Sequence, residues 1–323
     1  MKNNLKIAII GVYYGTFPDW IQYWLKSCRD NKSIDFFLVT DIKGMQVPDN
    51  VKIINMSLNQ LKQLAEEKLG MKIILERPYK VCDYRPAYGV ILDKYIKEYD
   101  YWGHCDFDLI WGDIRYFIEK YDIEKYDKFL PLGHLALYRN TKKCNEYYKL
   151  PGSRCGDYEK VFTSDNNFAF DETAGIYSIY QKNNLAMFSN RIFAEIKTFH
   201  KRFRLKKCDK NYYHQIFYYE DGKVYRAYKK KKEIKTEEYI YIHFRRKISA
   251  DKSKNYEELD SFYITDDGFI KKDKGVPTLK EIKKYNHNPG LIVEWFESIS
   301  FCIKNFKKMP DKLISKIRNI FNK

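Results

Sequence analysis

Residues 102–113 read Trp102-Gly103-His104-Cys105-Asp106-Phe107-Asp108-Leu109-Ile110-Trp111-Gly112-Asp113, and the placement of this stretch decides the fold. Tyr101–Cys105 reads as a strand running into Asp106-Phe107-Asp108. Side chains alternate across a strand, so Asp106 and Asp108 share one side and Phe107 takes the other. Two carboxylates at the end of a buried strand repel each other and are costly to desolvate unless a cation lies between them. A hard divalent ion with oxygen ligands meets that requirement and keeps open positions for phosphate oxygens. A plainer reading stands beside it, with both aspartates as loop carboxylates that cap the following turn.

Working outward, residues 5–10 are an apolar run ending at Gly11 and read as a buried parallel strand. Residues 20–28 carry helical spacing, 34–40 and 51–56 read as strands, and 57–69 as a helix with Ser57 as N-cap. Strands alternating with helices predict an α/β fold with a mostly parallel sheet. Open sheets of this kind bind ligands at strand ends, where Asp106 and Asp108 fall. Residues 86–99 are expected to be a helix with Pro86 near its start. Residues 113–120 are expected to be a short helix, 129–138 a strand, and 151–170 a long loop.

The second half is β-rich. Asp221-Gly222 between residues 215–220 and 223–228 is a hairpin signal. Residues 229–232 are four lysines, read as a solvated loop. Residues 239–244 read as a strand leading into Arg245-Arg246-Lys247, and 262–265 with 269–271 flank a second turn. The expected division is residues 1–270 as one domain, with a nucleotide-binding half over about 1–125 and an acceptor-side half over about 126–270. Residues 271–323 form a tail.

The formal net charge of +16 admits three partners: nucleic acid, an anionic membrane surface or a phosphorylated substrate. No nucleic-acid-binding module is recognisable, and the lysines are dispersed or gathered in the tail, so nucleic acid is not expected. The seven Cys show no CxxC spacing, which speaks against a zinc or disulfide framework and for a reducing compartment. The first apolar run is too short for a signal peptide, and no stretch is long enough to span a membrane. Gly11–Gly15 is not G-x-G-x-x-G, which disfavours a dinucleotide site. In the tail, Ile292, Trp295, Phe296, Ile299, Ile303 and Phe306 share a helical face, as do Leu313, Ile314, Ile317, Ile320 and Phe321. Such a basic amphipathic segment suits an anionic membrane surface, and equally a packing or dimer contact.

The ordered motifs Asp83-Tyr84-Arg85-Pro86-Ala87-Tyr88-Gly89, Gly103-His104-Cys105-Asp106-Phe107-Asp108, Gly133-His134 with Arg139-Asn140, Phe170-Asp171-Glu172 and His243-Phe244-Arg245-Arg246-Lys247 carry a resemblance. Over roughly residues 5–250 the chain resembles GT-A-fold, Asp-x-Asp-containing bacterial glycosyltransferases of the capsule and O-antigen polysaccharide type. The resemblance implies a GT-A-like α/β fold and transfer of a hexose from a nucleoside-diphosphate sugar, UDP being the commonest nucleotide. It implies Mn²⁺ or Mg²⁺ held by Asp106, Asp108 and a late histidine, His243. Val12, Tyr13 and Tyr14 then line the nucleotide pocket.

Asp83 is a candidate for a sugar or ribose hydroxyl, and Arg85 for a phosphate or for positioning Asp106. Alternatively, Asp83 caps the following helix and Arg85 pairs with it. Arg245, Arg246 and Lys247 suit a leaving diphosphate, or a solvated basic turn. His134, Arg139, Asp171 and Glu172 are acceptor-side candidates; Arg139 also stands with the donor-binding residues, and a carboxylate is the expected general base. Asp171-Glu172 equally marks a helix N-terminus. The expected location is the cytoplasmic face of the membrane, with a lipid-linked glycan as acceptor. The competing functions are a sugar nucleotidyltransferase, for which the first-strand loop lacks a cation, and a non-catalytic nucleic-acid- or carbohydrate-binding protein. The oligomeric state is not legible.

Overall fold

The computed structural model describes residues 5–197, 202–206, 210–245 and 259–290, with Ile292, Val293 and Phe296. Strands β1 (Ile7–Val12), β2 (Asp35–Thr40), β3 (Val51–Asn55) and β4 (Tyr101–Cys105) form the parallel half of a seven-stranded sheet ordered β3-β2-β1-β4. Strand β5 (Leu109–Trp111) leaves it. The sheet continues through β7 (Leu135–Arg139), β6 (Lys128–Phe129) and β8 (Met187–Phe188). β4 and β7 run antiparallel. The expected α/β architecture with a mostly parallel sheet flanked by helices is therefore present.

β1 explains why the sheet is buried on both sides. Ala8, Ile10 and Val12 enter one core with Tyr84, Tyr88 and Trp102, while Ile7 and Ile9 enter another with Trp24, Phe107 and Trp111. The helix Ile21–Asp30 covers the second face. The helix Leu58–Leu69 covers the first and begins with a Ser57/Gln60 capping box. Gly11 is where the first strand meets the motif: a Cβ there would lie 2.5 Å from Phe107 Cζ. Phe107 thus turns into the core, and alternation leaves Asp106 and Asp108 on the opposite side.

Two expectations fail locally. The helix expected over residues 86–99 breaks into Arg85–Ala87, Tyr88–Ile91 and Asp93–Ile96. Gly89 sits where any Cβ would be 2.6 Å from Trp102 Nε1, so this segment follows the sheet surface in short turns. The strand expected over residues 129–138 is a reversal between β6 and β7, with Leu130 at φ 75° and Gly133-His134 in the turn. Residues 151–170 are largely irregular, with one short helix at Tyr158–Phe162.

The β-rich half holds two further sheets. β9 (Ala194–Glu195), β13 (Tyr241–His243) and β5 form a three-stranded sheet with β13 in the middle. β10 (Gln215–Glu220), β11 (Lys223–Lys230), β12 (Glu233–Tyr239), β14 (Ser261–Thr265) and β15 (Gly268–Lys271) form an antiparallel sheet. Asp221 and Gly222, both at positive φ, close the expected β10–β11 hairpin. Of the expected 229–232 loop, Lys229 and Lys230 extend β11 while Lys231 and Lys232 form the turn into β12, a strand the sequence did not signal. Tyr23, Phe217, Phe262 and Phe269 pack this sheet against the first helix. The helix Leu279–Tyr285 covers its other side through Ile282, and Asn286 bonds to Phe203 and Gln215. Ile292 and Phe296 are exposed; Trp295 and the apolar face expected beyond residue 297 lie outside the described residues.

Candidate active site

A cavity of about 610 Å³ opens at the C-terminal ends of β1 and β4. Val12, Tyr13 and Tyr14 form one wall, Pro78 and Tyr79 the rim, and Arg85, Asp106, Asp108, Asp171 and Glu172 the polar wall. Tyr13 stacks on Phe17 with ring centroids 4.6 Å apart. The Tyr14 hydroxyl is buried without a hydrogen-bond partner, and burial together with the Asp41 charge raises its pKa. A buried hydroxyl lining a cavity with no partner is a group that a ligand can satisfy.

The polar wall is built around Arg85. Its guanidinium donates to Asp106 Oδ1 at 2.6 Å and Asp171 Oδ2 at 2.8 Å, and to the Gly133 carbonyl at 3.1 Å. Of the two roles expected for Arg85, the side chain occupies the second, holding Asp106. Burial pushes the Asp171 carboxyl up to about 7 even though Arg85 pulls it down. Burial raises Glu172 as well, against a backbone bond from Gly133. Gly133 allows this close approach, because a Cβ there would lie 2.6 Å from Asp171 Oδ2.

β5 and β13 pair so that His243 lies opposite Leu109, beside Asp108. The His243 Nε2 is 3.3 Å from Asp108 Oδ1. Burial disfavours the charged ring, but the Asp108 bond and charge outweigh it, with Asp106 and Glu195 adding to them, and the His243 pKa is raised. The ligand-capable atoms of Asp106, Asp108 and His243 all lie within 4.8 Å of one another. Two carboxylates on the cavity wall with an imidazole within reach behind them fit a divalent ion such as Mn²⁺, with the cavity side left for other ligands.

Several expected residues are committed to other contacts or lie off the cavity; Asp83 lines it but is bonded within the protein. Asp83 is buried and bonded to Lys80 Nζ at 2.8 Å and to the Phe168 and Phe170 amides at 3.1 and 3.0 Å. Its carboxylate holds the 166–170 loop in place of a sugar or ribose hydroxyl. Arg139 pairs with Asp127 at 3.1 Å, at the far end of β7 opposite Tyr101. About 13 Å of strand separates it from the cavity end, so it is not a donor- or acceptor-binding residue. His134 is not on the cavity wall. It backs His243, with ring centroids 4.5 Å apart, and its Nδ1 meets the Tyr241 hydroxyl at 2.7 Å. Burial, then the neighbouring His243 and cations, push its pKa far down. Arg245 bonds to Glu195 at 3.2 Å; Arg246 and Lys247 lie outside the described residues.

Sequence reasoning missed Glu195 and Lys128. Glu195 is buried and gathers Lys206 at 2.9 Å, Arg191 at 2.8 Å and Arg245; the Lys206 and Arg191 bonds hold its pKa down against burial. The available signal was a charged residue inside the apolar run Ile192–Ile196. Lys128 is fully buried and donates to the Leu130 carbonyl. Burial pushes its amine down to about 7, against the pull of Glu172 and Asp171.

The fold and site thus define a mixed α/β protein with an acidic cavity at the strand ends, backed by a histidine. The model of the Family of unknown function (DUF6625) matches residues 9–273, and the chain belongs to that family. Comparison with curated proteins gave no match. Among solved structures, the galactosyltransferase LgtC, in complex with donor and acceptor sugar analogs, is similar over 58% of this chain and 75% of its own, at 10% identity and TM-score 0.35. Mouse xyloside xylosyltransferase 1, apo form, is similar over 60% and 89%, at 8% identity and TM-score 0.37. The glycosyltransferase GlyE of Streptococcus pneumoniae TIGR4 is similar over 45% and 38%, at 17% identity and TM-score 0.26. Likeness this distant leaves the functional argument to the site itself.

Proposed function

We propose that the protein is a metal-dependent, GT-A-type glycosyltransferase that moves a hexose from a nucleoside-diphosphate sugar, UDP-hexose in the first instance. The observation that carries the reading is the pair Asp106 and Asp108 on the wall of a cavity whose other wall is aromatic, with His243 close behind them. Asp106, Asp108 and His243 would hold Mn²⁺ or Mg²⁺, which supplies charge to the donor diphosphate. Tyr13 offers a ring face to the base and Tyr14 a hydroxyl to its edge. Arg85 keeps Asp106 aimed and leaves the Asp108 side of the cluster to the ion. Glu172 is better placed than Asp171 to take the acceptor proton, because Asp171 is committed to Arg85. Arg245, with Arg246 and Lys247, would meet the leaving diphosphate.

The acceptor in this reading is a lipid-linked glycan of a surface-polysaccharide pathway, at the cytoplasmic face of the membrane. The basic amphipathic tail supports it, and among the described residues no helix is long and apolar enough to cross a membrane. The test is donor hydrolysis across a nucleotide-sugar panel with Mn²⁺ or EDTA. UDP-hexose turnover that EDTA abolishes is expected. Full turnover in EDTA, or tight GDP or CMP binding with none for UDP, would overturn the donor and metal assignments. Membrane attachment is read from sedimentation with anionic liposomes at low and high salt. Truncation after residue 290 spares the Ile282 and Asn286 contacts, so its loss of salt-sensitive binding reports the tail alone.

A further inference from the structure

We propose that His134, Glu195 and His243 form a second metal site, suited to Zn²⁺, which competes with the Asp106/Asp108 cluster for His243. Glu195 and His243 are cross-strand neighbours in β9 and β13. The three residues are 2%, 4% and 8% exposed, and their ligand-capable atoms lie within 4.8 Å of one another. His134 Nε2 and His243 Nδ1 are both buried without a hydrogen-bond partner. The other nitrogen of each ring is occupied, by the Tyr241 hydroxyl and by Asp108. A buried polar atom left unpaired is costly to the fold. Two such atoms on adjoining rings, next to a carboxylate, are a donor set.

The tautomers agree with that assignment. An ionised carboxylate only accepts, so the Asp108 contact puts the His243 proton on Nε2 and leaves the lone pair on Nδ1. The Tyr241 oxygen can accept from His134 Nδ1–H, which leaves the lone pair on Nε2. Anchoring one ring nitrogen while the other faces the ion is how metal-binding histidines are oriented. Ligand bonds of about 2.1 Å span at most about 4.2 Å, so any pair of ligand atoms close to 4.8 Å apart must draw together to bind. Glu195 also holds Arg191, Lys206 and Arg245. These cations offset the charge it offers an ion, so the two imidazoles must supply most of the affinity. That selects Zn²⁺ over Mg²⁺.

The competition follows from the single proton on a neutral imidazole. The Asp106/Asp108 cluster needs the Nε2 lone pair of His243, and the His134/Glu195 cluster needs that of Nδ1. The inference holds whether or not the chain transfers a sugar. X-ray absorption of the metal-free full-length protein loaded with one equivalent of Zn²⁺ counts imidazole ligands without any substitution. Two imidazoles are expected; one or none places the ion in the carboxylate cluster and overturns the proposal. Calorimetry then separates the sites. His134→Gln should weaken Zn²⁺ binding by about tenfold or more, the range for lost metal support, while Asp106→Asn stays within about twofold. The reverse pattern, or no measurable Zn²⁺ binding to the wild-type protein, refutes the site. Circular dichroism of metal-free His134→Gln guards against a folding defect.

Discussion

Replacing Arg85 by Met removes the guanidinium that stands between Asp106 and Asp171. The Asp171 side chain is 4% exposed and that of Asp106 is 29%, so the loss falls mainly on Asp171. Removing one partner of a buried ion pair costs about 3–5 kcal/mol. Unfolding entropy of about 2.1 cal/mol/K per residue gives roughly 0.7 kcal/mol/K for this chain, so Tm should fall by about 4–7 °C. Asp171 titrates at about 7 with Arg85 in place, and Arg85 lowers that value. In the variant the carboxyl therefore takes a proton at neutral pH, which limits the loss. The double variant Arg85→Met with Asp171→Asn leaves no buried charge at that position and should recover half or more of the deficit. Calorimetric melts of wild type, Arg85→Met and the double variant at pH 7 read this directly. A single variant within about 1 °C of wild type, worth under 1 kcal/mol, would refute the role of Arg85. A double variant no better than the single one would refute the assignment to Asp171.

Lys128 has a folded pKa of about 7, below its ordinary 10.5, so its charge costs stability as pH falls from about 10 through about 7. The gain of Lys128→Met over wild type in urea unfolding should grow across that window, and a gain independent of pH would contradict it. Gly11→Ala forces a Cβ onto Phe107 and should cost about 1–3 kcal/mol, relieved in combination with Phe107→Leu. Additive losses in chemical denaturation would show that the contact is not the cause. Mn²⁺ at about a hundredfold excess over Kd should stabilise the wild type by about 2.7 kcal/mol in thermal melts, and Asp108→Asn by far less. Equal shifts would place the ion elsewhere.

The parallel half of the sheet was legible because β1, β2 and β4 are buried on both faces, and such strands read as largely apolar runs. Ile7, Ile9 and Ile10 need no partner information to declare a core. Asp106 and Asp108 were legible for a related reason: they follow directly on β4, and the alternation of neighbouring side chains there is local. What escaped the sequence was non-local. The turns that replace the 86–99 helix are imposed by Trp102 and Asn145 pressing on Gly89, neither of which is near it in the chain. Arg139-Asn140 reads as one motif with Gly133-His134, yet β7 carries Arg139 to the opposite end of the sheet. Lys128 looks like any surface lysine until β6, which carries it, is set between β7 and β8. Glu195 gathers Arg191, Lys206 and Arg245 from distances of 4, 11 and 50 residues, a grouping with no period to detect.

The charges of the cavity constrain how its parts can work together. Asp106, Asp108, Asp171 and Glu172 bring four carboxyl groups to one wall, with Arg85 as the guanidinium among them. The raised pKa of Asp171 and Glu172 is the expected outcome, since burial and mutual repulsion both favour a proton there. A divalent ion on Asp106, Asp108 and His243 would relieve the same repulsion, so ion binding and release of protons from this wall should be one linked equilibrium. Across the three-stranded sheet the sign inverts: Arg191, Lys206 and Arg245 outnumber Glu195. In the transferase reading the acidic wall repels the diphosphate until the ion is bound, which predicts metal before donor. The basic cluster stands next to His243 but not among the residues that line the cavity, and Glu195 is the residue that keeps it assembled.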